Sequence, residues 1–219
     1  MKKVSKKEPA FFSDFIAKEK PNEWKELINK ELGEDKGLGE KIREYILQNE
    51  QNHQCAYTEI SIDSHKLSSH IDHFKKQSLY NDSIIDWNNL FVSTNNLDYG
   101  AKYKDSQISG KNIGIYELLL NPAIDNPLDF FYYSTTGFIS PKSNNDNSLE
   151  YQKAKTTIEY FNLNHKALIE KRKSIYRLVD SYQNELKYDL EAIQSEINML
   201  DSFIEAIYPT LNQNNPPKN

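Results

Sequence analysis

The chain has 219 residues, of which 37% are hydrophobic and 27% are charged. This length can hold one large or two small domains, and the apolar share is enough for a core. A net charge of −5 argues against a protein that binds nucleic acid over a generally basic surface. No apolar run approaches the ~20 residues that cross a bilayer, so no membrane contact is expected.

The first residues and the single cysteine bear on localisation. The start MKKVSKKEPAFF is basic, but neither an apolar core nor a small-residue cleavage site follows it, so it does not predict a secretion signal. One cysteine, Cys55, cannot form an internal disulfide, which fits a reducing compartment. The sequence therefore predicts a cytoplasmic protein.

Three segments near the start predict helices: PAFFSDFIAKEK, NEWKELINKEL and KIREYILQNEQ. Pro9 stands in a favourable first-turn position for the first helix. Glycines between residues 33 and 39 are expected to break the second helix. In the third segment Ile42, Tyr45 and Ile46 recur at helical spacing and predict an amphipathic face.

The stretch from Cys55 to Asp105 carries the side chains suited to chemistry. Asp72 and His73 end a β-like run, SSHIDHF, and Asn89 follows in DWNNLFVS. A divalent cation held by Asp72 and by a group on a following helix can stabilise charge on a phosphate and on its leaving oxygen. The ordinary pKa of a histidine such as His73 lets it accept a proton from water near neutral pH.

Two features of this stretch leave alternatives open. Because neighbours on a strand face opposite sides, Asp72 and His73 can serve one phosphate only at a distorted strand end or bulge; otherwise they are a surface pair. Asp98 is a second metal ligand or a turn residue in NNLDYG. Asn95 and Asn96 are the substitutes for Asp98 as ligand.

This stretch resembles the HNH nuclease motif. The resemblance implies a strand–strand–helix unit in which Asp72 and Asp98 hold a divalent ion, Mg²⁺ or Mn²⁺, and His73 is the general base. It also implies that Asn89 braces the loop and orients the histidine. Four lysines near these residues are predicted to contact the nucleic acid: Lys75, Lys76, Lys102 and Lys104.

Longer stretches of the sequence resemble a particular group of HNH nucleases. EPAFF, QNEQNHQCAYTE, LLLNPAIDNPLDFFYYSTTGFISP and TIEYFNLNHKALIEKRKSIY are similar to HNH nucleases associated with retrons and with the Septu antiphage system, the PtuB-like proteins. The likeness covers roughly residues 8 to 180. It implies an effector of antiphage defence that works with an ATPase subunit of the ABC or SMC kind.

The chain departs from these relatives at a structural zinc site. Many relatives have four cysteines there, but this chain keeps Cys55 alone, with Thr58, Thr94 and Leu97 at the other positions. Three other histidines match no zinc motif: His53, His65 and His70. No structural zinc is expected. Packing is expected to hold the motif instead, through Tyr57, Ile71, Phe91 and Leu97.

The remaining chain predicts a hairpin and then helices. DFFYYST and GFIS flank a Thr-Thr-Gly turn, and their aromatic side chains either pack across the strands or stack on bases. A helix stops near Asn162, and the segment from His165 to Tyr208 predicts one long helix. Its apolar residues from Val179 to Ile207 alternate steps of three and four. This apolar seam either packs inside the chain or docks the ATPase or another copy.

The sequence as a whole predicts an α+β protein. A small ββα-metal unit, residues 50–110, is embedded in a mainly helical shell made of residues 1–49, 111–148 and 149–219. The predicted function is a metal-dependent endonuclease that hydrolyses DNA or RNA. The alternative is a catalytically inactive, nuclease-like interaction subunit of the same kind of complex.

Overall fold

A computed structural model of the protein describes residues 1–28, 31–32, 36–63 and 68–214. It combines helices with small antiparallel strand pairs, so the α+β prediction is confirmed at that level. Among the described helices, none combines the length and apolar character needed to span a bilayer. One hydrophobic cluster takes residues from all four predicted segments, while the segment boundaries stay a prediction.

The first elements match the prediction in order but not in length. They are α1 (Ala10–Glu19), α2 (Trp24–Ile28), β1 (Glu31–Leu32), β2 (Lys36–Gly37) and α3 (Leu38–Asn49). Pro9 caps α1 in an extended conformation, and the predicted apolar face of α3 is confirmed, since Ile42 and Ile46 are fully buried. Gly39 was expected to break a helix but lies inside the first turn of α3.

The central elements follow one another as strand, strand and helix: β3 (Ser69–His73), β4 (Leu90–Thr94) and α4 (Ala101–Gln107). The strands pair antiparallel without a bulge, with Asp72 opposite Phe91 and His73 opposite Leu90. Short 3-10 turns at Asn81–Ser83 and Trp87–Asn89 connect them. His73 is therefore the last residue of its strand.

The predicted hairpin is confirmed. After a 3-10 helix at Gly110–Leu118, the chain forms α5 (Pro127–Phe130), β5 (Phe131–Tyr133), β6 (Ile139–Pro141) and α6 (Leu149–Tyr160). Strands β5 and β6 pair antiparallel. Gly137 in the turn has φ +85°, and a Cβ there would lie 2.5 Å from the Ile169 carbonyl oxygen, so only glycine fits. As predicted, α6 ends before Asn162.

The prediction of a single long C-terminal helix was wrong. The chain forms α7 (Lys166–Asn184), α8 (Leu190–Ile197) and α9 (Asp201–Asn214). Lys187 and Asn198 adopt left-handed backbone angles, with φ of 61° and 47°, and so end the helical path. Asp189 then starts α8 by accepting a hydrogen bond from the Ala192 N–H at 2.9 Å.

These helices fold back on one another, and the seam lies inside the chain. Val179, Ile193 and Ile204 are fully buried, whereas Leu186 is 52% exposed. Of the two alternatives for the seam, the structure shows internal packing. The start of α9 is also tied to the central part of the chain, because the Leu200 N–H donates to the Glu59 carbonyl at 2.9 Å. The Ser202 N–H donates to Glu59 Oε2 at 2.8 Å.

Candidate functional site

Strand β3 ends in a cavity of about 640 Å³. His70, Ile71, Asp72 and His73 all line it, together with Trp24 from α2 and Asp105 from α4. Asp72 and His73 therefore open into one cavity although strand neighbours face opposite sides. No bulge is involved, since the pairing is regular up to His73, and the mid-strand neighbours His70 and Ile71 reach the same cavity.

The His73 ring is held in one orientation. Its Nε2 lies 2.9 Å from the Ile84 carbonyl oxygen, which can only accept, so Nε2 carries the hydrogen. The Trp24 ring meets it edge-on, with centroids 4.7 Å apart. Burial lowers the pKa of His73, while the hydrogen bond to Ile84 opposes that shift. The lowered pKa favours the neutral ring, in which the Nδ1 lone pair is left to accept a proton.

Asn89 braces the loop between the two strands, as the resemblance implies. Its Oδ1 accepts from the Lys75 N–H at 2.7 Å, and its Nδ2 donates to the Ser83 carbonyl at 2.9 Å and to the Lys75 carbonyl at 3.1 Å. Ser83 precedes Ile84, the residue whose carbonyl holds the histidine. Asn89 therefore acts on His73 through the backbone and not through a direct hydrogen bond to the ring.

Asp72 is buried and lies beside a buried cation. Its Oδ2 accepts a hydrogen bond from the Tyr57 hydroxyl and lies 3.4 Å from Lys104 Nζ. Lys104 also donates to the carbonyls of His73 at 3.1 Å and Phe74 at 2.7 Å. Burial would lower the pKa of Lys104, but the charges of Asp72 and Asp105 outweigh it and raise that pKa.

This position corrects the prediction for Lys104. Its side chain is 0% exposed, so the ammonium fixes the carboxylate of Asp72 and the end of β3 instead of meeting a substrate at the surface. Lys76 is likewise engaged, since its Nζ donates to the carbonyls of Asp105 at 2.9 Å and Ile108 at 3.4 Å near the end of α4. Lys75 and Lys102 are half-buried, and substrate contact by them stays a prediction.

Two half-buried titratable residues of the cavity were missed from the sequence. Asp105 Oδ1 lies 3.0 Å from Lys104 Nζ, and burial together with the charge of Asp72 raises the pKa of Asp105. Burial lowers the pKa of His70, which the charge of Asp72 opposes. His70 had a signal in the sequence, because it stands two residues before Asp72 on the same face of the strand. Asp105 had none.

Asp98 is not brought to this cavity. It is exposed in a turn where its N–H donates to Asn96 Oδ1 at 2.8 Å and its carbonyl accepts from Asn162 Nδ2 at 2.8 Å. The turn interpretation fits this placement. The substitutes, Asn95 and Asn96, do not line the cavity either. A ligand role for any of the three stays a prediction that this placement does not support.

The residues at the four positions compared with a zinc site in the sequence are only partly together. Cys55 Sγ lies 3.5 Å from Ser93 Oγ and 4.0 Å from Thr94 Oγ1. Leu97 is 75% exposed, so its expected packing role was wrong, whereas Tyr57 and Phe91 are fully buried. His65 lies outside the described residues. Within the described ranges, no three His, Cys, Asp or Glu side chains are grouped to hold a metal ion.

A divalent ion bound mainly by water and substrate still fits the cavity. Mg²⁺ is commonly held by one or two carboxylates, with water and phosphate oxygens completing its coordination. Asp72 uses Oδ2 for Tyr57 and Lys104, and no hydrogen bond from the described part of the chain reaches its Oδ1. His70 and Asp105, which are half-buried, and Glu23, which is exposed, line the same cavity and could assist.

Comparison with known proteins adds no assignment. No family model matches the chain, and no curated protein matches it. The nuclease interpretation therefore depends on the motif in the sequence and on the geometry of this cavity.

Proposed function

We propose that this protein is a metal-dependent HNH endonuclease that hydrolyses phosphodiester bonds of nucleic acid. One observation carries the proposal: His73 donates from Nε2 to Ile84, and it lines the same cavity as Asp72. A histidine held in this way presents Nδ1 as a proton acceptor, which is what a general base requires. A cavity of about 640 Å³ also has room for part of a nucleotide.

Each residue of the site has a part in this proposal. Asp72, assisted by His70 or Asp105, would hold Mg²⁺ or Mn²⁺, which stabilises charge on the phosphate when bound. Lys104 keeps the Asp72 carboxylate in one orientation through Oδ2. Trp24 packs against the His73 ring and limits its rotation. His73 accepts the proton of the attacking water.

The biological setting is proposed from the sequence blocks alone. Their similarity to PtuB-like proteins supports an effector of antiphage defence that assembles with an ATPase of the ABC or SMC kind. The buried seam leaves most of its apolar residues unavailable for that assembly. Partner binding would use another surface.

Substitution at His73 tests the proposal. The variant His73→Asn should lower cleavage of plasmid DNA or total RNA with Mg²⁺ or Mn²⁺ by about 10²–10⁴-fold, because the proton acceptor is lost. His53→Asn is the matched control, since His53 is exposed and its φ of 55° suits asparagine. Thermal melting of both variants checks the fold. A His73→Asn protein that cuts at the parent rate would refute the assignment.

A non-catalytic interaction subunit is the second candidate. The observation in its favour is the buried Lys104 ammonium, which already neutralises the charge of Asp72 without a metal ion. If this candidate is right, the unaltered protein cuts neither DNA nor RNA with either metal, with or without the ATPase. Cleavage that His73→Asn abolishes excludes it.

A further inference from the structure

A second cavity, of about 330 Å³, lies next to the first. The residues His73 to Lys76 divide the two, because His73 and Lys76 line the first cavity while Phe74 and Lys75 line the second. The other walls of the second cavity include Tyr80, Tyr116, Asn121 and Lys153. No role has been assigned to this cavity so far.

The walls of the second cavity are aromatic. Tyr80 and Tyr116 meet edge-on with ring centroids 5.2 Å apart, and Phe74 packs against Tyr116 at 5.9 Å. Lys75 Nζ stands 5.1 Å from the centroid of the Tyr80 ring. Tyr80 is half-buried, so part of its ring faces the cavity. Aromatic rings beside a lysine are the arrangement on which proteins stack unpaired bases.

The charges of the cavity favour a neutral group. The lysines Lys75 and Lys153 are balanced by Glu117 and Asp125, and Lys153 Nζ lies 3.3 Å from Asp125 Oδ1. A phosphate alone gains little in a balanced site, whereas a base has no charge to compensate. Asn121 uses Oδ1 to accept from the Ala123 N–H at 2.9 Å. Its Nδ2 makes no hydrogen bond within the described part of the chain and is left to donate to a base edge.

The second cavity is held at a fixed distance from His73, the proposed general base. Asn89 binds both the N–H and the carbonyl of Lys75, so the backbone there is locked to the loop that orients His73. Two residues of extended chain span at most about 7 Å, which is of the order of one nucleotide step along an extended strand. A phosphate at His73 therefore places a neighbouring nucleotide near Lys75, whose Nζ stands 5.1 Å from the centroid of the Tyr80 ring.

We propose that the second cavity binds the unpaired base of a nucleotide beside the scissile phosphate, and that the substrate is single-stranded. In a duplex each base is stacked and paired inside the helix, and a protein reaches its face only after the strand is opened. This inference rests on the proposed function for the place of the scissile phosphate. It adds the substrate class, which the first cavity alone does not give.

Binding of short labelled oligonucleotides in the presence of a chelator tests the inference without cleavage. The unaltered protein should bind a single strand, DNA or RNA, more tightly than the matching duplex. Tyr80→Leu keeps apolar bulk but removes stacking, so single-strand binding should weaken about 5- to 150-fold. Tyr80→Phe keeps the ring and should bind within about twofold of the parent. Tyr132→Leu, at a tyrosine that is 59% exposed on the hairpin, is the matched control.

A second measurement keeps the test decisive if Tyr80→Leu proves unstable on thermal melting. Asn121→Ala removes the Nδ2 donor and should weaken single-strand binding by about 2- to 12-fold, the worth of one hydrogen bond. Equal binding of strand and duplex, no binding of either, or single-strand binding that Asn121→Ala leaves unchanged would overturn the inference. If the protein still cuts nucleic acid and His73→Asn stops it, the proposed function stands although the inference has failed.

Discussion

The protonation state of His73 sets the conditions under which the site can work. Only the neutral ring accepts a proton, and burial lowers the pKa of His73 below its ordinary value of 6.5. The neutral form therefore persists at a more acidic pH than it would in an exposed histidine. The same shift makes the folded protein bind fewer protons than the unfolded chain, so this group reduces stability as the pH falls below about 6.5.

A pH–rate profile checks this. The acid limb of kcat/KM should lie below pH 6.5, because kcat/KM reports the pKa of the base in the free enzyme. Trp24→Ala exposes the ring and should move that limb upward, toward 6.5, by relieving the burial that causes the shift. An acid limb at or above 6.5 in the unaltered protein would show that His73 is not the group that titrates.

The sequence was a better guide to site residues that are close to one another in the chain than to site residues that only packing brings together. Asp72 and His73 are neighbours in β3 and line one cavity, and Asn89 lies at the other end of the loop that follows this strand. Lys104 reaches Asp72 only because α4 docks on β3. A fully buried lysine is also rare, so composition and spacing favour a surface position for it. Nothing in the sequence therefore pointed to the buried ammonium.

At the scale of elements, the spacing of apolar residues in the C-terminal segment predicted helix correctly but did not predict where each helix ends. The apolar steps of three and four continue through both breaks, so the pattern alone gave one helix. Two local signals marked the breaks: Asp189 is a favourable N-cap residue, and Asn198 tolerates left-handed angles. The pattern identified core residues such as Ile193 and Ile204, which are buried, but it also included Leu186, which is 52% exposed.

Two substitutions on the seam test which of its residues lie in the core and which lie at the surface. Ile193→Asp should lower the free energy of unfolding by about 4 kcal/mol or more, because it places an unpaired charge where exposure is 0%. Leu186→Asp is the control at a position that is 52% exposed, and its effect should stay within about 0.5 kcal/mol. Urea unfolding measures both. A stable Ile193→Asp protein would contradict the internal packing of the seam.

At the scale of the whole molecule, a buried ion pair fixes the first residues to the central strands. Lys6 Nζ lies 2.5 Å from Glu50 Oε2 and donates to the Leu90 carbonyl at 2.7 Å, while Trp87 Nε1 donates to Glu50 Oε1 at 2.8 Å. Burial lowers the pKa of Lys6, and the charge of Glu50 opposes that shift. Glu50 therefore joins the N-terminal segment, α3 and β4 at one point.

Breaking this pair should destabilise the entire protein. Glu50→Gln leaves the Lys6 ammonium buried without its counter-charge, which should cost about 3–5 kcal/mol in unfolding free energy. Glu170→Gln removes the exposed pair with Lys173, 2.8 Å in length, and should leave the unfolding free energy almost unchanged. Thermal melting of the two variants gives the comparison. Equal losses would mean that the buried pair adds nothing beyond a surface contact.

The hydrogen bonds between Glu59 and the start of α9 affect when this part of the protein can fold during synthesis on the ribosome. The Glu59 side chain and carbonyl receive the N–H groups of Ser202 and Leu200, and 143 positions separate Glu59 from Ser202. At a translation rate of about 5–20 residues per second, those bonds form roughly 7–30 seconds after Glu59 is synthesised. Glu59 follows the turn that carries Tyr57, whose hydroxyl holds Asp72. We therefore expect the nascent chain to carry its histidine and carboxylate well before Glu59 can bind the start of α9, so the proposed activity would begin only after α9 has been synthesised.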